Sequence, residues 1–211
     1  MRKTMWAAAL VFTLVATAAA PAFASGGGAD GPDWAAAARG AGGGAAPEST
    51  VRSPFALADT PGDVPNGSGD ITAIKVEHRT DTVRLTVRTK LGSNPSAGAS
   101  WRSGDTWIIW AIDVNNAGDA DFLAGIFNQD GEVFAEVVRN NPNTFTHRCN
   151  PTFTHNQPTQ FQIEFPRSCI SSHPSIRAYA TMQYNRTPAT PSTPEQVDYS
   201  PNLTWTPLVT R

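Results

Sequence analysis

The run Thr106-Trp107-Ile108-Ile109-Trp110-Ala111-Ile112 is apolar in both phases of a two-residue repeat, which a strand tolerates only when it is covered on both faces. A central strand is therefore predicted here. Segments with a single apolar phase surround it. Val83, Leu85 and Val87 alternate with Arg84 and Arg88, and Val133, Ala135 and Val137 alternate with Glu132 and Glu136. Phe161, Ile163 and Phe165 alternate in the same way with Gln160, Gln162 and Glu164. Each pattern fits a strand with one buried face. Ile74 and Val76 begin another after Asp70, while Phe122 to Phe127 and Ile176 to Tyr184 are largely apolar.

The punctuation between these runs is that of turns. Asn128-Gln129-Asp130-Gly131 contains Asp-Gly, a strong hairpin marker, and His78-Arg79-Thr80-Asp81 has hairpin length, with His78 expected in solvent. A polar loop is predicted from Leu91 to Gly104, and a last short strand near Leu203 to Trp205. Without crossover helices the sheets should be antiparallel, and the expected fold is an all-β sandwich of about eight to nine strands, with a closed barrel as the alternative.

The N-terminal quarter differs. Arg2 and Lys3 precede an apolar run from Met5 to Ala20 and then Pro21-Ala22-Phe23-Ala24-Ser25, the order of a secretory signal cleaved after Ala24. About 15 apolar residues fall short of the roughly 20 that span a bilayer. From Ser25 to Pro47 the chain is mostly Gly and Ala with one aromatic, Trp34, a composition that cannot offset its ordering entropy. The expected organisation is a signal peptide over residues 1–24, a flexible linker over 25–53 and a sandwich over 54–211. Removal of the leader leaves 14 basic against 18 acidic residues, so no general attraction for nucleic acid or anionic lipid is expected. The mature chain should be a released, extracellular monomer.

Two cysteines, Cys149 and Cys169, are an even count in an oxidising compartment, and one disulfide is expected. A metal or redox pair would want C-x-x-C spacing or closer ligands than His147 and His155.

Two acidic loops carry the candidate chemistry. In Asp113-Val114-Asn115-Asn116-Ala117-Gly118-Asp119-Ala120-Asp121 oxygen-bearing side chains recur around a glycine, as a calcium ion with six to eight oxygen ligands requires. Asp113, Asn115, Asp119 and Asp121 are the candidate ligands. Aligned on the EF-hand loop, its fifth and twelfth positions are Ala117 and Ala124, so the bidentate acid is missing and further ligands must come from elsewhere. The second loop, Asp59 to Asp70, offers Asp59, Asp63 and Asp70. Turn-building by Asp, Asn, Gly and Pro is the simpler reading of both loops, and of the second loop above all.

Asp59-Thr60-Pro61-Gly62-Asp63, Asp70-Ile71, and the Ile112-Asp113 loop closing on Asp121-Phe122 resemble secreted sandwich proteins of high-GC Gram-positive bacteria, distantly similar to DOMON domains and family-nine carbohydrate-binding modules. The likeness covers about Phe55 to Tyr199. It implies a sandwich of roughly nine strands, calcium in acidic loops in some members, and sugar or haem binding in others. Haem there uses a Met and a His; here Met182 lies inside an alternating strand and no His is marked as its partner.

Glu132, Glu136 and Glu164 occupy polar strand phases, and Ser171-Ser172-His173 lies in a turn without a nucleophile elbow, so neither glycoside hydrolysis nor a serine triad is favoured. Glycan binding wants exposed rings as platforms. Trp101, Tyr199 and Trp205 are the candidates. The expected function is a non-catalytic, calcium-supported module that binds an extracellular polysaccharide or cell-wall polymer, with a secreted hydrolase or haem-binding redox module as the alternative.

Overall fold

The computed structural model describes residues 34, 49–64, 67–141, 144–184, 197–201 and 204–211. The leader and, apart from Trp34, the Gly/Ala-rich stretch lie outside them. Among the described residues, thirteen strands form two sheets packed face to face, an all-β sandwich. The smaller sheet orders β2 (Phe55–Ala58), β3 (Ile71–His78), β4 (Thr82–Thr89), β10 (Gln160–Pro166) and β9 (Thr152–Gln157). The larger orders β1 (Thr50–Arg52), β13 (Leu208–Thr210), β11 (Ser175–Gln183), β5 (Trp107–Asp113), β6 (Phe122–Gln129), β7 (Glu132–Asn141) and β8 (Thr144–Cys149), and β12 (Val197–Ser200) also pairs with β11.

All pairs are antiparallel except β1 with β13. That parallel pair shifts a boundary: Thr50–Arg52 belongs to the sandwich rather than to the linker. The last strand is also displaced, since Trp205 stands outside any strand and Leu208–Thr210 closes the sheet.

The alternation becomes the core. Ile74, Val76, Leu85, Val87, Phe161 and Ile163 from the smaller sheet face Ile108, Trp110, Ile112, Ile126, Ala178 and Met182 from the larger. Burying each large side chain contributes about 1.5–3 kcal/mol. The other face of β5 is buried as well. Trp107, Ile109 and Ala111 join Leu123, Phe127, Val138, Tyr179 and Trp205 in a second cluster on the outer side of the larger sheet, so the run that is apolar in both phases is covered on both faces. At the β6–β7 turn Asp130 and Gly131 both have positive φ, 54° and 89°, the signature of the type I′ hairpin that Asp-Gly favours.

Cys149 and Cys169 form the disulfide, with Cα atoms 5.9 Å apart. Cys149 pairs with Val137 in the larger sheet, whereas Cys169 lies in a short 3-10 turn directly after β10 of the smaller one. The bond therefore staples the two sheets together.

Candidate metal centre

Asp59 follows β2, and its backbone N–H donates to Thr72 O at 2.9 Å, continuing the β2–β3 ladder. The chain then makes a loop in which Gly62 takes φ +93°, a conformation open to glycine at little cost. Asp70 ends the loop, immediately before β3. Its Oδ2 accepts the Gly62 N–H at 2.7 Å and lies 3.7 Å from Lys90 Nζ. Asp70 is fully buried, and its Oδ1 has no hydrogen-bond partner among the described residues.

Asp198 reaches the same place from β12. One of its carboxylate oxygens accepts the N–H of Ile71, the first residue of β3, and the other accepts the N–H of Tyr199. It thus ties the larger sheet to the start of the smaller one. Among the described residues, Asp63, Asp70 and Asp198 form the group whose ligand oxygens all lie within 4.8 Å of one another. Asp59, also buried, is close enough to act on Asp198 electrostatically. Burial, together with the negative charges of Asp63 and Asp59, pushes the Asp198 carboxyl up to about 7, although the Ile71 and Tyr199 N–H groups pull the other way. Carboxylates forced this close favour protonation or a cation between them.

Three oxygens of this kind, one of them buried and unsatisfied, suit a hard cation that prefers carboxylate ligands. Of the three acids expected from this loop, Asp63 and Asp70 are brought together, and Asp198, which sequence reasoning missed, joins them; Asp59 lies outside that group of ligand oxygens. Asp198 stands 127 residues from Ile71, in a Ser- and Pro-rich stretch, and only the β11–β12 pairing delivers it.

The loop after β5 is built differently. Asp113 Oδ1 accepts the N–H groups of Asn115 and Asn116, and Oδ2 accepts that of Gly118. The same Oδ2 receives the Arg177 guanidinium, with Nε at 2.8 Å. Asp121 accepts Val114 N–H and Asn115 Nδ2, Asn115 Oδ1 accepts Ala117 N–H, and Asp119 is exposed. Asp113, Asn115 and Asp121 direct their oxygens at the loop's own backbone and at Arg177, and no shared cation position emerges from them. The Asp/Asn-rich spacing here is accounted for as turn chemistry.

The expected platforms need correcting. Trp101 is fully buried, with its ring stacked on Phe161 at 5.7 Å and its indole N–H donating to Ser93 Oγ at 3.1 Å. A short helical turn, Ala99–Arg102, folds it inward from the polar loop. Trp205 is 1% exposed, packs against Tyr179, and lies under the Arg177 guanidinium at 5.4 Å. Neither ring can stack on a polymer. Tyr199 is half-buried, stacked on Tyr179 at 5.8 Å. His78, expected in solvent, is 1% exposed; its ring ends β3 on the inward phase of the strand. Met182 is buried in the inter-sheet core.

The outer face of the smaller sheet is polar over β4 and β10 and at the end of β3. Lys75, Arg79 and Arg84 pair with Glu77, and Arg79 and Arg84 also pair with Glu164. For both glutamates burial acts upward, but the hydrogen bonds and charges outweigh it: Lys75 and Arg79 hold Glu77 below the usual range, and Arg84, Thr82 and Arg79 do the same for Glu164. Arg88 and Gln160 extend the row, linked at 3.2 Å. Of the remaining catalytic candidates, Glu136 is bound to His147 Nδ1 at 2.6 Å, and Glu132 is exposed. Comparison with protein-family models, curated proteins and solved structures gives no match, so the chemistry of the chain is read from these residues alone.

Proposed function

We propose that this chain is a secreted, non-catalytic binding module whose sandwich is supported by calcium. The convergence of Asp63, Asp70 and Asp198 at the seam between the sheets carries the reading. Without a cation, burial of several acids at one seam opposes folding; with one, the same acids fasten β12 to the start of β3. An extracellular setting supplies millimolar calcium and suits a disulfide.

The recognition surface favoured is the outer face of the smaller sheet. Arg84, Arg88, Gln160, Gln162 and Glu164 sit there on adjacent strands in register, a flat array of guanidinium, amide and carboxylate groups. Such an array matches the hydroxyl and carboxylate groups of an extended polysaccharide or cell-wall polymer better than a small apolar ligand. This surface replaces the aromatic platform expected from Trp101 and Trp205.

The test combines two measurements on the secreted chain. Melting curves with chelator and with millimolar calcium should differ by several degrees, and a panel of soluble glycans and cell-wall polymers should yield a binder whose affinity falls when Arg84 and Arg88 are replaced by Ala. Unchanged melting would remove the calcium part, and a binder indifferent to R84A/R88A would remove the surface.

A further inference from the structure

We infer that the outer face of the larger sheet holds an aromatic-ring site filled in cis by Trp34, which straps the Gly/Ala-rich segment to the sandwich. The argument begins at Gly125, in the middle of β6. Glycine weakens a strand interior and in such a place commonly marks the close approach of another group. Register puts Ile109 of β5 on one side of it and Glu136 of β7 on the other, and the same face of β6 carries the bulky Leu123 and Phe127. A notch one side chain wide results.

Trp34 fills it. A Cβ built on Gly125 would lie 2.7 Å from Trp34 Cη2 and 3.1 Å from Cζ3, while the nearest other atom, Ile108 O, stands at an ordinary 3.4 Å. The backbone there has no positive φ, so the absent methyl group makes room for the ring and nothing else. Trp34 also meets Phe127 edge to face, with centroids 6.3 Å apart and planes at 87°, a favoured aromatic geometry. Phe127 is itself stacked on Phe134 at 5.8 Å. The indole thus joins the second apolar cluster and remains half-exposed, as a contact that can open would be.

In the sequence, Trp34 is the sole aromatic between Ser25 and Pro47. No other side chain in that stretch offers comparable apolar surface, so the segment has a single handle. The latch is therefore a single residue: docked, the Trp34 ring covers its seat at Gly125; released, it exposes a ring-sized apolar notch.

The experiment uses the mature full-length chain and its variants W34A, G125A and W34A/G125A. Arg39 is the sole trypsin site between Ser25 and Ser49, so its cleavage rate under native conditions reports an open strap. The rate should rise about tenfold or more in both W34A and G125A, because one removes the ring and the other fills its seat. Free indole should raise the melting temperature of W34A, whose notch is empty, and leave W34A/G125A unmoved. Equal cleavage of wild type and W34A overturns the inference, whether or not G125A folds, and so does an indole effect that survives in the double variant.

Discussion

Arg177 and Asp113 face each other on adjacent strands, β11 and β5, as a buried ion pair with Nε 2.8 Å from Oδ2. Both are nearly inaccessible to solvent, at 2% and 0% side-chain exposure. The pair explains why an Asp ends the most apolar strand of the protein: its carboxylate anchors the following loop through three backbone N–H groups and neutralises a guanidinium stacked over Trp205. Removing one partner of such a pair leaves the other charged and buried, at a cost of about 3–5 kcal/mol. Asp113→Ala should therefore lower the unfolding free energy by that amount equally with calcium and with chelator. Asp130→Ala, at an exposed turn, should change it by less than about 1 kcal/mol. Denaturant titration under both conditions decides the matter, and a loss confined to the calcium-loaded form would return Asp113 to the metal.

The calcium prediction belongs to the other cluster. If the ion binds only the folded chain, stability rises by about 2.7 kcal/mol at a hundredfold excess over Kd, several degrees for a domain of this size. Asp70→Ala and Asp198→Ala should each erase the difference between chelated and calcium-loaded melting curves. Asp119→Ala, on the exposed loop after β5, should preserve it. A calcium shift that persists in Asp198→Ala would detach the cation from the seam.

How far the sequence discloses this molecule depends on the range of each cause. Alternation in 82–88, 133–137 and 160–165 acts within one strand, and those strands stand where the pattern puts them. The polar edge strand β8, the four-residue strand β2 and the three-residue strands β1 and β13 have weak patterns of their own and are defined by what they pair with. The same holds for the sites. Asp113 to Asp121 looks like a ligand set because spacing hides Arg177, 64 residues away. Asp59, Asp63 and Asp70 lie in one loop and are legible, but Asp198 is not. Trp101 reads as exposed because its neighbours are polar, although its stacking partner Phe161 lies far along the chain in β10.

His78 gives a pH dependence. Burial, then the positive charges of Arg167 and Arg211, lower its pKa from 6.5 to about 4. Between these values the unfolded chain binds the proton and the folded chain does not, so the His78 contribution is complete above about pH 6.5 and is lost as pH falls toward 4. His78→Phe removes the titration. Asp198, with its carboxyl raised from 3.8 to about 7, acts in the opposite sense over much of that window, so the informative quantity is wild type minus variant, measured in chelator. Plotted against pH, that difference should fall from 6.5 to 4 and then level off. A flat difference would mean that His78 is protonated as readily in the folded protein as in the unfolded one.

The Cys149–Cys169 bond provides the last expectation. It closes a separation of 20 residues that contains β9 and β10, and the chain-entropy model assigns about 3 kcal/mol to a loop of that length. The bond also fixes the end of β8 against the turn after β10, where Arg148 Nε donates to Cys169 O at 3.2 Å. Reduction should therefore loosen the β8 edge of the larger sheet first, leaving β3, β4 and β5 in place. Hydrogen exchange on reduced and oxidised protein should show lost protection concentrated in residues 144–157, with the melting temperature lowered by several degrees. The acidic seam lies at the β12–β3 contact, so the calcium-dependent shift in melting should survive reduction; its loss would show that the two devices are coupled through the inter-sheet core.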